Sequence, residues 1–471
     1  MSKRALTKLR GELRSIDSEL LDTLARRIRL VRRIGLLKEE LQMEVIDTDA
    51  EKSVMSNFII SAARAGVEEA YARRLAELLI GISVDAQVRS RPRAISGDSL
   101  LKRLSETMLT AEKEGRKLIR LDIGEPRFKT PSAAIREAKR YLGETSTILY
   151  GSSAGLSELK EVIAARLNAQ YGTRLRQSNI LIFPGARFAI FAAMRSTLSS
   201  LDRVVVCQPA WTAYESSANL AGARVRSVMT TLEDRWDINL SRLEEELSAR
   251  PRMLVLNNPS NPTGKVLSEN MFREVVELAK RNRTVVLSDE VYASYCDSRV
   301  PSVLQYPDCE WIYVNSFSKE FSMTGWRIAY AVADEKRIAK MRSIVQTTLT
   351  NIPELVQRAA LAALKDTSGE APRARRGIAK RVAMACEQLS KAELEFYPPD
   401  GGFYVFPRIG RGKVDSGKFA ELLLAGHGVG VLPGTAFGGY REFLRLAITE
   451  PETRVKIGIK RIVKAMHEWR Q

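Results

Sequence analysis

Between Leu6 and Leu41 the chain has no proline, only the isolated glycines Gly11 and Gly35, and apolar residues at Leu6, Leu9, Leu13, Ile16, Leu20, Leu24, Ile28, Val31 and Ile34. This three-and-four spacing predicts one uninterrupted amphipathic helix. At 1.5 Å per residue, its 36 residues would span about 54 Å. A unit of 90 residues is too small to cover so long a stripe by itself, so a partner helix is expected. Two further helical stretches, 48–65 and 67–89, flank Gly66. The helical unit is assigned to 1–90 and a linker to 91–100, where Pro92, Gly97 and Ser99 break the pattern.

The rest of the chain, 101–471, follows a different period. Short β-rich runs (NILIF, RVVVC, RVRSV, MLVLNN, TVVLSD, WIYVNS and RIAYAV) alternate with helical stretches. That alternation predicts a large α/β domain over about 144–340, built on a mostly parallel seven-stranded sheet with its ligand beyond the carboxyl ends of the strands. A smaller α+β domain is expected from 101–143 plus 341–471.

Composition excludes several kinds of chemistry. With only His427 and His467 the chain cannot build a multi-histidine metal site, and no metal is expected. The four cysteines, at 207, 296, 309 and 386, have no C-x-x-C spacing and read as reduced thiols of a cytoplasmic protein. No apolar run approaches 18 residues, and the opening MSKRALTKLR lacks a signal core, so neither membrane span nor export is expected. The net charge of +18 raises the question of nucleic acid. The excess is spread along the chain without an aromatic-studded basic stripe, so small anionic substrates account for it and no nucleic-acid partner is expected.

Counting heptads from Leu6 puts Leu6, Leu13, Leu20, Arg27, Ile34 and Leu41 on one seam. Arg27 interrupts it, and a guanidinium in an apolar seam needs an anion. Lys38 lies eleven residues on, roughly 16 Å along the same side, whereas Arg10 falls on a different face. Asp47 with Glu51, and Ser83 with Gln87, each form an i, i+4 polar pair. A polar register-setting position in a helical dimer would explain Arg27 alone. The whole series, L-x-x-L-R, I-D-x-x-L-L-x-x-L-A-x-R, I-G-x-x-K, D-x-D-x-E and S-x-x-x-Q, resembles the all-helical chorismate mutases over about 85 residues. The resemblance implies an intertwined dimer. In it Arg27, and Arg10 from the partner chain, bind the substrate carboxylates; Lys38 and Gln87 meet the ether oxygen; Glu51 meets the ring hydroxyl; Asp47 and Ser83 complete the pocket. Ala50 departs from the family, which commonly has Arg there.

In NSFSKEFSMTGWRIAYAV, Lys319 follows the Ser316/Ser318 pair and precedes Arg327 by eight residues. A desolvated lysine amine can form a Schiff base, and hydroxyls with an arginine suit a phosphate. VVLSDEVY ends an apolar strand on Asp289, with Tyr292 three residues later. A carboxylate there is costly unless it meets a cation such as a protonated ring nitrogen. FPGAR offers the amides of Gly185, Ala186 and Arg187 at a helix start as a phosphate seat. Asn261 in NNPSNPTG sits in a turn, and Trp211 in CQPAWTAY offers a stacking face.

In order and spacing these segments resemble the class I aminotransferases of the aspartate and aromatic type, from LDIGEP at Leu121 to FLRLAITEP at Pro451. The resemblance implies the aminotransferase fold and pyridoxal 5'-phosphate, with Lys319 as the lysine that carries the cofactor and shuttles the proton. Asp289 would meet the ring nitrogen, Tyr292 and Asn261 the ring oxygen, Ser316 and Arg327 the phosphate, and Tyr150 the phosphate of the neighbouring subunit. Arg445 would clamp the substrate α-carboxylate beside the Gly124 backbone. Two departures bear on specificity: Arg127 stands where the family commonly has an acid, and Arg187 stands where some relatives carry a lysine for a distal carboxylate.

Together these readings predict a cytoplasmic, homodimeric, bifunctional enzyme of aromatic amino-acid biosynthesis. Its N-terminal unit would convert chorismate to prephenate. Its C-terminal unit would transfer an amino group from glutamate or aspartate to prephenate or an aromatic keto acid. One rival is an aspartate aminotransferase with an inactive helical dimerisation arm. A second, a pyridoxal-dependent transcription regulator, expects short helices with a hairpin near the N-terminus, which the long helix argues against.

Overall fold

The computed structural model describes residues 3–40, 48–90, 100–145, 147–200, 202–296, 298–412 and 414–470. Contacts divide the chain into two compact units, Met1–Lys102 and Arg103–Gln471.

In the first unit, α1 (Lys3–Glu40) is the long helix the pattern demands, followed by α2 (Thr48–Arg64) and α3 (Glu69–Ser90). Both α1 and α2 pack on α3. The buried positions Ala72, Ala76 and Ile80 recur every four residues on α3, and the alanines let neighbouring backbones approach closely. Much of the α1 stripe has no cover among the described residues of this unit: Leu9, Leu13, Ile16, Leu20 and Leu21 are 50–66% exposed. Burying each such side chain fully is worth about 1.5–3 kcal/mol. This uncovered stripe is the structural counterpart of the partner helix expected above.

The second unit contains all seven predicted strands. In chain order its strands are β1 (Ile119–Arg120), β2 (Ile180–Phe183), β3 (Arg203–Gln208), β4 (Arg224–Met229), β5 (Met253–Asn257), β6 (Val285–Asp289), β7 (Trp311–Ser316), β8 (Ala329–Val332), β9 (Tyr404–Val405), β10 (Val429–Gly430), β11 (Leu432–Pro433) and β12 (Leu444–Ala447). The large sheet runs β2-β8-β7-β6-β5-β3-β4. Its β3, β4, β5, β6 and β7 pair in parallel, and β8 is antiparallel to both β2 and β7. Helices cover both faces, giving one apolar cluster around Leu254, Leu256 and Val286 and another around Val255, Leu287 and Ile312. Because β5, β6 and β7 are adjacent and parallel, Asn257, Asp289 and Ser316 end at the same edge.

The smaller element set comprises the parallel pair β1-β10 and the antiparallel sheet β11-β12-β9. Helices Glu370–Lys391 and Glu452–Arg470 pack beside it. The division differs from the expected 101–143 plus 341–471. Helix Ser132–Glu144 packs on Glu354–Lys365, and Ala134, Ala138, Ala359 and Ala360 join the core of the large sheet. Helix Glu335–Leu349 likewise places Met341 and Val345 in its other cluster. Small alanine side chains let helices Ser132–Glu144 and Glu354–Lys365 pack closely on each other.

Candidate active sites

In the helical unit, the Arg27 guanidinium donates to the Leu79 carbonyl (3.0 Å) and to the Ser83 hydroxyl. Ser83 in turn donates to the same carbonyl at 2.5 Å. The structure therefore brings together Arg27 of α1 and Ser83 of α3, two residues that the family resemblance assigns to one pocket. Among the described residues, the hydrogen bonds of Arg27 go to neutral oxygens, and burial pushes its pKa down from the usual value. A carboxylate bound there would oppose that shift, so the position suits an anion. Gln87 is buried one turn beyond Ser83, whereas Lys38 and Glu51 are half-buried at the end of α1 and the start of α2. Arg10 is exposed on α1, and Asp47 lies outside the described residues.

In the second unit, a cavity of about 310 Å³ opens at the carboxyl edge of the large sheet. Lys319, Asp289, Tyr292, Asn261, Ser316, Arg327, Trp211, Ala186, Arg187, Gly124 and Arg445 all line it. Eleven residues scattered over more than 300 positions thus share one wall because adjacent parallel strands end together and β12 reaches in from the smaller sheet.

Lys319 sits in a single helical turn, Phe317–Glu320, whose N-cap is Ser316; the Ser316 hydroxyl accepts from the Ser318 amide at 3.0 Å. The Lys319 amine donates to the Gly124 carbonyl at 2.5 Å. Burial, followed by the more distant Arg445, lowers its pKa, opposed by Tyr404. A neutral amine is the form that attacks a carbonyl and accepts a proton. Gly124 is required by space, because a Cβ there would collide with the Tyr404 hydroxyl.

Asp289 is buried, and burial pushes its carboxyl up to about 6 despite opposing hydrogen bonds. Those bonds come from the Tyr214 hydroxyl (2.7 Å) and the Val291 amide (3.3 Å). Tyr214 was not singled out from sequence. Its signal was position: it stands three residues after Trp211, in the first turn of helix Ala213–Leu220, which follows β3. Tyr404, hydrogen-bonded to Tyr292 at 3.0 Å, was also missed, since nothing in YVFP marks it.

The Arg445 guanidinium is buried, donates to Asn261 Oδ1 (3.2 Å) and the Asp122 carbonyl, and lies 4.4 Å from the Tyr404 ring centre. Its Nε–H has no partner among the described residues. A buried cation that meets only neutral oxygens is prepared for a carboxylate. Arg187 stacks 4.7 Å over Trp211, and its pKa is lowered by burial and by Arg327. It lines the cavity while remaining solvent-exposed at the start of its helix.

Two placements differ from expectation. The Gly185 amide turns back to the Phe183 carbonyl (2.9 Å), so the helix-start amides that remain for an anion are those of Ala186 and Arg187. Gly185 serves instead through its φ of +94° and its missing side chain, which leaves room for the Arg327 guanidinium. The Ser316 hydroxyl donates to the Ile328 carbonyl (3.1 Å). Tyr150, expected to serve the neighbouring subunit's site, is 87% exposed and outside the cavity of its own chain. Arg127, the cation that replaces the usual acid, is held 3.0 Å from buried Glu450.

The donor set fits a flat cationic ring bearing a carbonyl and a phosphate. Asp289 is a buried carboxylate in want of a cation, Lys319 an amine for the carbonyl, and Arg327 with a helix start a seat for the phosphate. Four cations line the cavity, Arg187, Lys319, Arg327 and Arg445, against the acids Glu125 and Asp289.

Comparison with known proteins agrees with this geometry. Residues 116–462 match the family model "Aminotransferase class I and II", and residues 9–88 match "Chorismate mutase type II". The chain is 33% identical to an aspartate aminotransferase of Sulfolobus acidocaldarius over 80% of this chain and 96% of that one. It is 32% identical to a probable aspartate/prephenate aminotransferase of Aquifex aeolicus, covering 75% of this chain and 92% of that one. The solved aspartate aminotransferase of Thermotoga maritima superposes with a TM-score of 0.74 at 32% identity, over 79% of this chain and 99% of that one. The chain belongs to the class I and II aminotransferases, and in it that enzyme is fused to an N-terminal chorismate mutase domain of type II.

Proposed function

We propose that the protein is a bifunctional homodimeric enzyme of aromatic amino-acid biosynthesis: its first unit makes prephenate, and its second aminates prephenate or an aromatic keto acid. The observation that carries the reading is the pair of arginines, Arg445 and Arg187, that line the Lys319 cavity with no carboxylate partner among the described residues. Prephenate carries two carboxylates, as do glutamate and aspartate, and its source is fused to the same chain.

In the first unit the reaction is a pericyclic rearrangement with no proton transfer or covalent step, so the protein acts by holding the compact conformer and stabilising charge on the ether oxygen. Arg27, with Arg10 of a partner copy, would bind the carboxylates, and Lys38 and Gln87 the ether oxygen. The uncovered α1 stripe supports the second copy.

In the second unit the residues present would hold pyridoxal 5'-phosphate, which supplies an electron sink for the bond broken at the substrate α-carbon. Asp289 would hold the proton on the ring nitrogen, and its bond from Tyr214 keeps that carboxylate oriented. Tyr292 and Asn261 would meet the ring oxygen, and Trp211 would offer a stacking face. Arg327 and the helix start at Ala186 would hold the phosphate. Arg445 would orient the substrate α-carboxylate so that the α-hydrogen faces Lys319, whose amine would accept and return that proton. Arg187 receives a distal carboxylate.

The test is one incubation of purified protein with pyridoxal phosphate, chorismate and glutamate, with products read by mass spectrometry. Arogenate establishes both activities with prephenate as acceptor. Prephenate accumulating without arogenate moves the acceptor to a keto acid such as phenylpyruvate, hydroxyphenylpyruvate or oxaloacetate. Unchanged chorismate refutes the mutase and favours the inactive dimerisation arm.

A further inference from the structure

Glu320, the residue after Lys319, is a mostly buried carboxylate that none of the assignments above uses. One of its oxygens lies 2.5 Å from Arg166 Nη2 and 3.7 Å from Arg375 Nη1. These two arginines come from different layers. Arg166 is on helix Ser157–Tyr171, which packs with Glu354–Lys365 and β2 against the large sheet. Arg375 is on helix Glu370–Lys391, which packs with Glu452–Arg470, β9 and the turn 293–295.

The turn that carries Lys319 needs such ties. Phe317–Glu320 is one helical turn, too short for helix cooperativity to define it. Ser322, two residues beyond, has a positive φ of 51°. The Lys319 backbone is held by the Tyr295 hydroxyl, which donates to its carbonyl at 2.8 Å, and Tyr295 belongs to the turn that helix Glu370–Lys391 packs against. The same helix also governs the other end of the lysine. The amine of Lys319 rests on the Gly124 carbonyl, and four residues later Phe128 lies under Arg381, 4.5 Å from ring centre to guanidinium. A Cβ on Gly377 would come within 2.8 Å of that ring. Helix Glu370–Lys391 thus touches the loop that receives the amine, and through Arg375 it reaches the residue next to the lysine backbone.

We infer that Glu320 is a positioning residue that, shared between Arg166 and Arg375, sets the Lys319 backbone relative to the loop receiving its amine. Transfer of a proton to and from the substrate α-carbon is sensitive to displacements of about 1 Å. Loosening this tie therefore alters turnover while leaving the binding groups in place.

The experiment compares the full-length wild type with Glu320→Gln, Arg375→Gln and the double variant, and with Arg375→Lys as the conservative control. Steady-state transamination is measured with whichever of glutamate or aspartate the wild type uses faster. Amide hydrogen exchange of the 317–321 peptide is followed in the cofactor-free protein, a readout independent of any substrate assignment. Glu320→Gln, which loses both arginine contacts, is expected to lower kcat about tenfold, and Arg375→Gln, which leaves the Arg166 contact, by a smaller factor, each with KM within about twofold; the double variant should fall no further than about twofold below Glu320→Gln, where the Arg375 contact is already lost. Exchange in 317–321 should rise in both single variants, more in Glu320→Gln, and no further in the double, and Arg375→Lys should recover most of the Arg375→Gln effects. The inference is overturned by unchanged exchange in that peptide, by a lower unfolding midpoint with unchanged kcat, or by losses that multiply in the double variant. Should the wild type turn over neither donor, the donor assignment fails, and the exchange measurement alone decides the role of Glu320.

Discussion

Replacing Asp289 by Asn should make the cofactor-free protein more stable and the enzyme much worse. The carboxyl is pushed up to about 6 by burial, from an ordinary 3.8. Its folded-state pKa therefore lies above its unfolded one, so between those values the folded chain holds the extra proton and stability falls as pH rises. At about 1.36 kcal/mol per unit, ionised Asp289 costs the fold about 3 kcal/mol at pH 7.5 and about 1 kcal/mol at pH 4.5. Asparagine cannot ionise; its single side-chain oxygen keeps one of the two bonds, from the Tyr214 hydroxyl to Oδ2 or from the Val291 amide to Oδ1, and losing the other costs the same at both pH values. Asp289→Asn should thus gain about 2 kcal/mol more over wild type at pH 7.5 than at pH 4.5. Urea unfolding of the stripped protein at the two pH values, followed by fluorescence, measures this. The neighbouring buried acid Glu290, pushed up to about 8 chiefly by burial and in small part by Asp289, is eased when that charge is removed, which changes the pH difference in the same direction. Transamination should fall at least about a hundredfold, because the ring nitrogen loses a buried counter-charge worth about 3 kcal/mol or more. A gain equal at both pH values, or a loss of stability at pH 7.5, would refute the electrostatic account of this carboxylate.

Lys319→Ala should abolish transamination and leave chorismate turnover intact, and Arg27→Ala should do the converse; equal loss of both activities in either variant contradicts separate sites. Arg187→Ala should raise KM for dicarboxylic substrates about ten- to a hundredfold, the worth of a charge-assisted pair, and hardly change it for phenylpyruvate. The same shift for both classes would remove Arg187 from substrate recognition. Gly124→Ala should cut kcat sharply while cofactor absorbance persists, since the new Cβ displaces Tyr404; full activity would show that Tyr404 moves aside without consequence.

The sequence alone defined much of this protein because its strongest signals are local. A proline-free apolar period of 3.6 can only be a helix, and all seven β-rich runs became strands of the large sheet because short β-branched runs bounded by turns have few alternatives. Asp289 was legible because a carboxylate ending an apolar strand is locally anomalous, and Lys319 because its Ser-x-Ser-Lys turn stands in order with the other segments of the family resemblance. Tyr214, Tyr404 and Glu320 were not. Tyrosines and surface-type acids occur everywhere in a chain, and what distinguishes these is which distant groups they meet: Asp289, Tyr292, Arg166 and Arg375. Gly185 shows the same limit. Its place before a helix suggested a free amide, but the local turn directs that amide to Phe183 and makes its absent side chain the useful feature. Local periodicity and propensity decide which elements form; which side chains share a cavity depends on strand order and helix packing, which are set by burial summed over the whole chain.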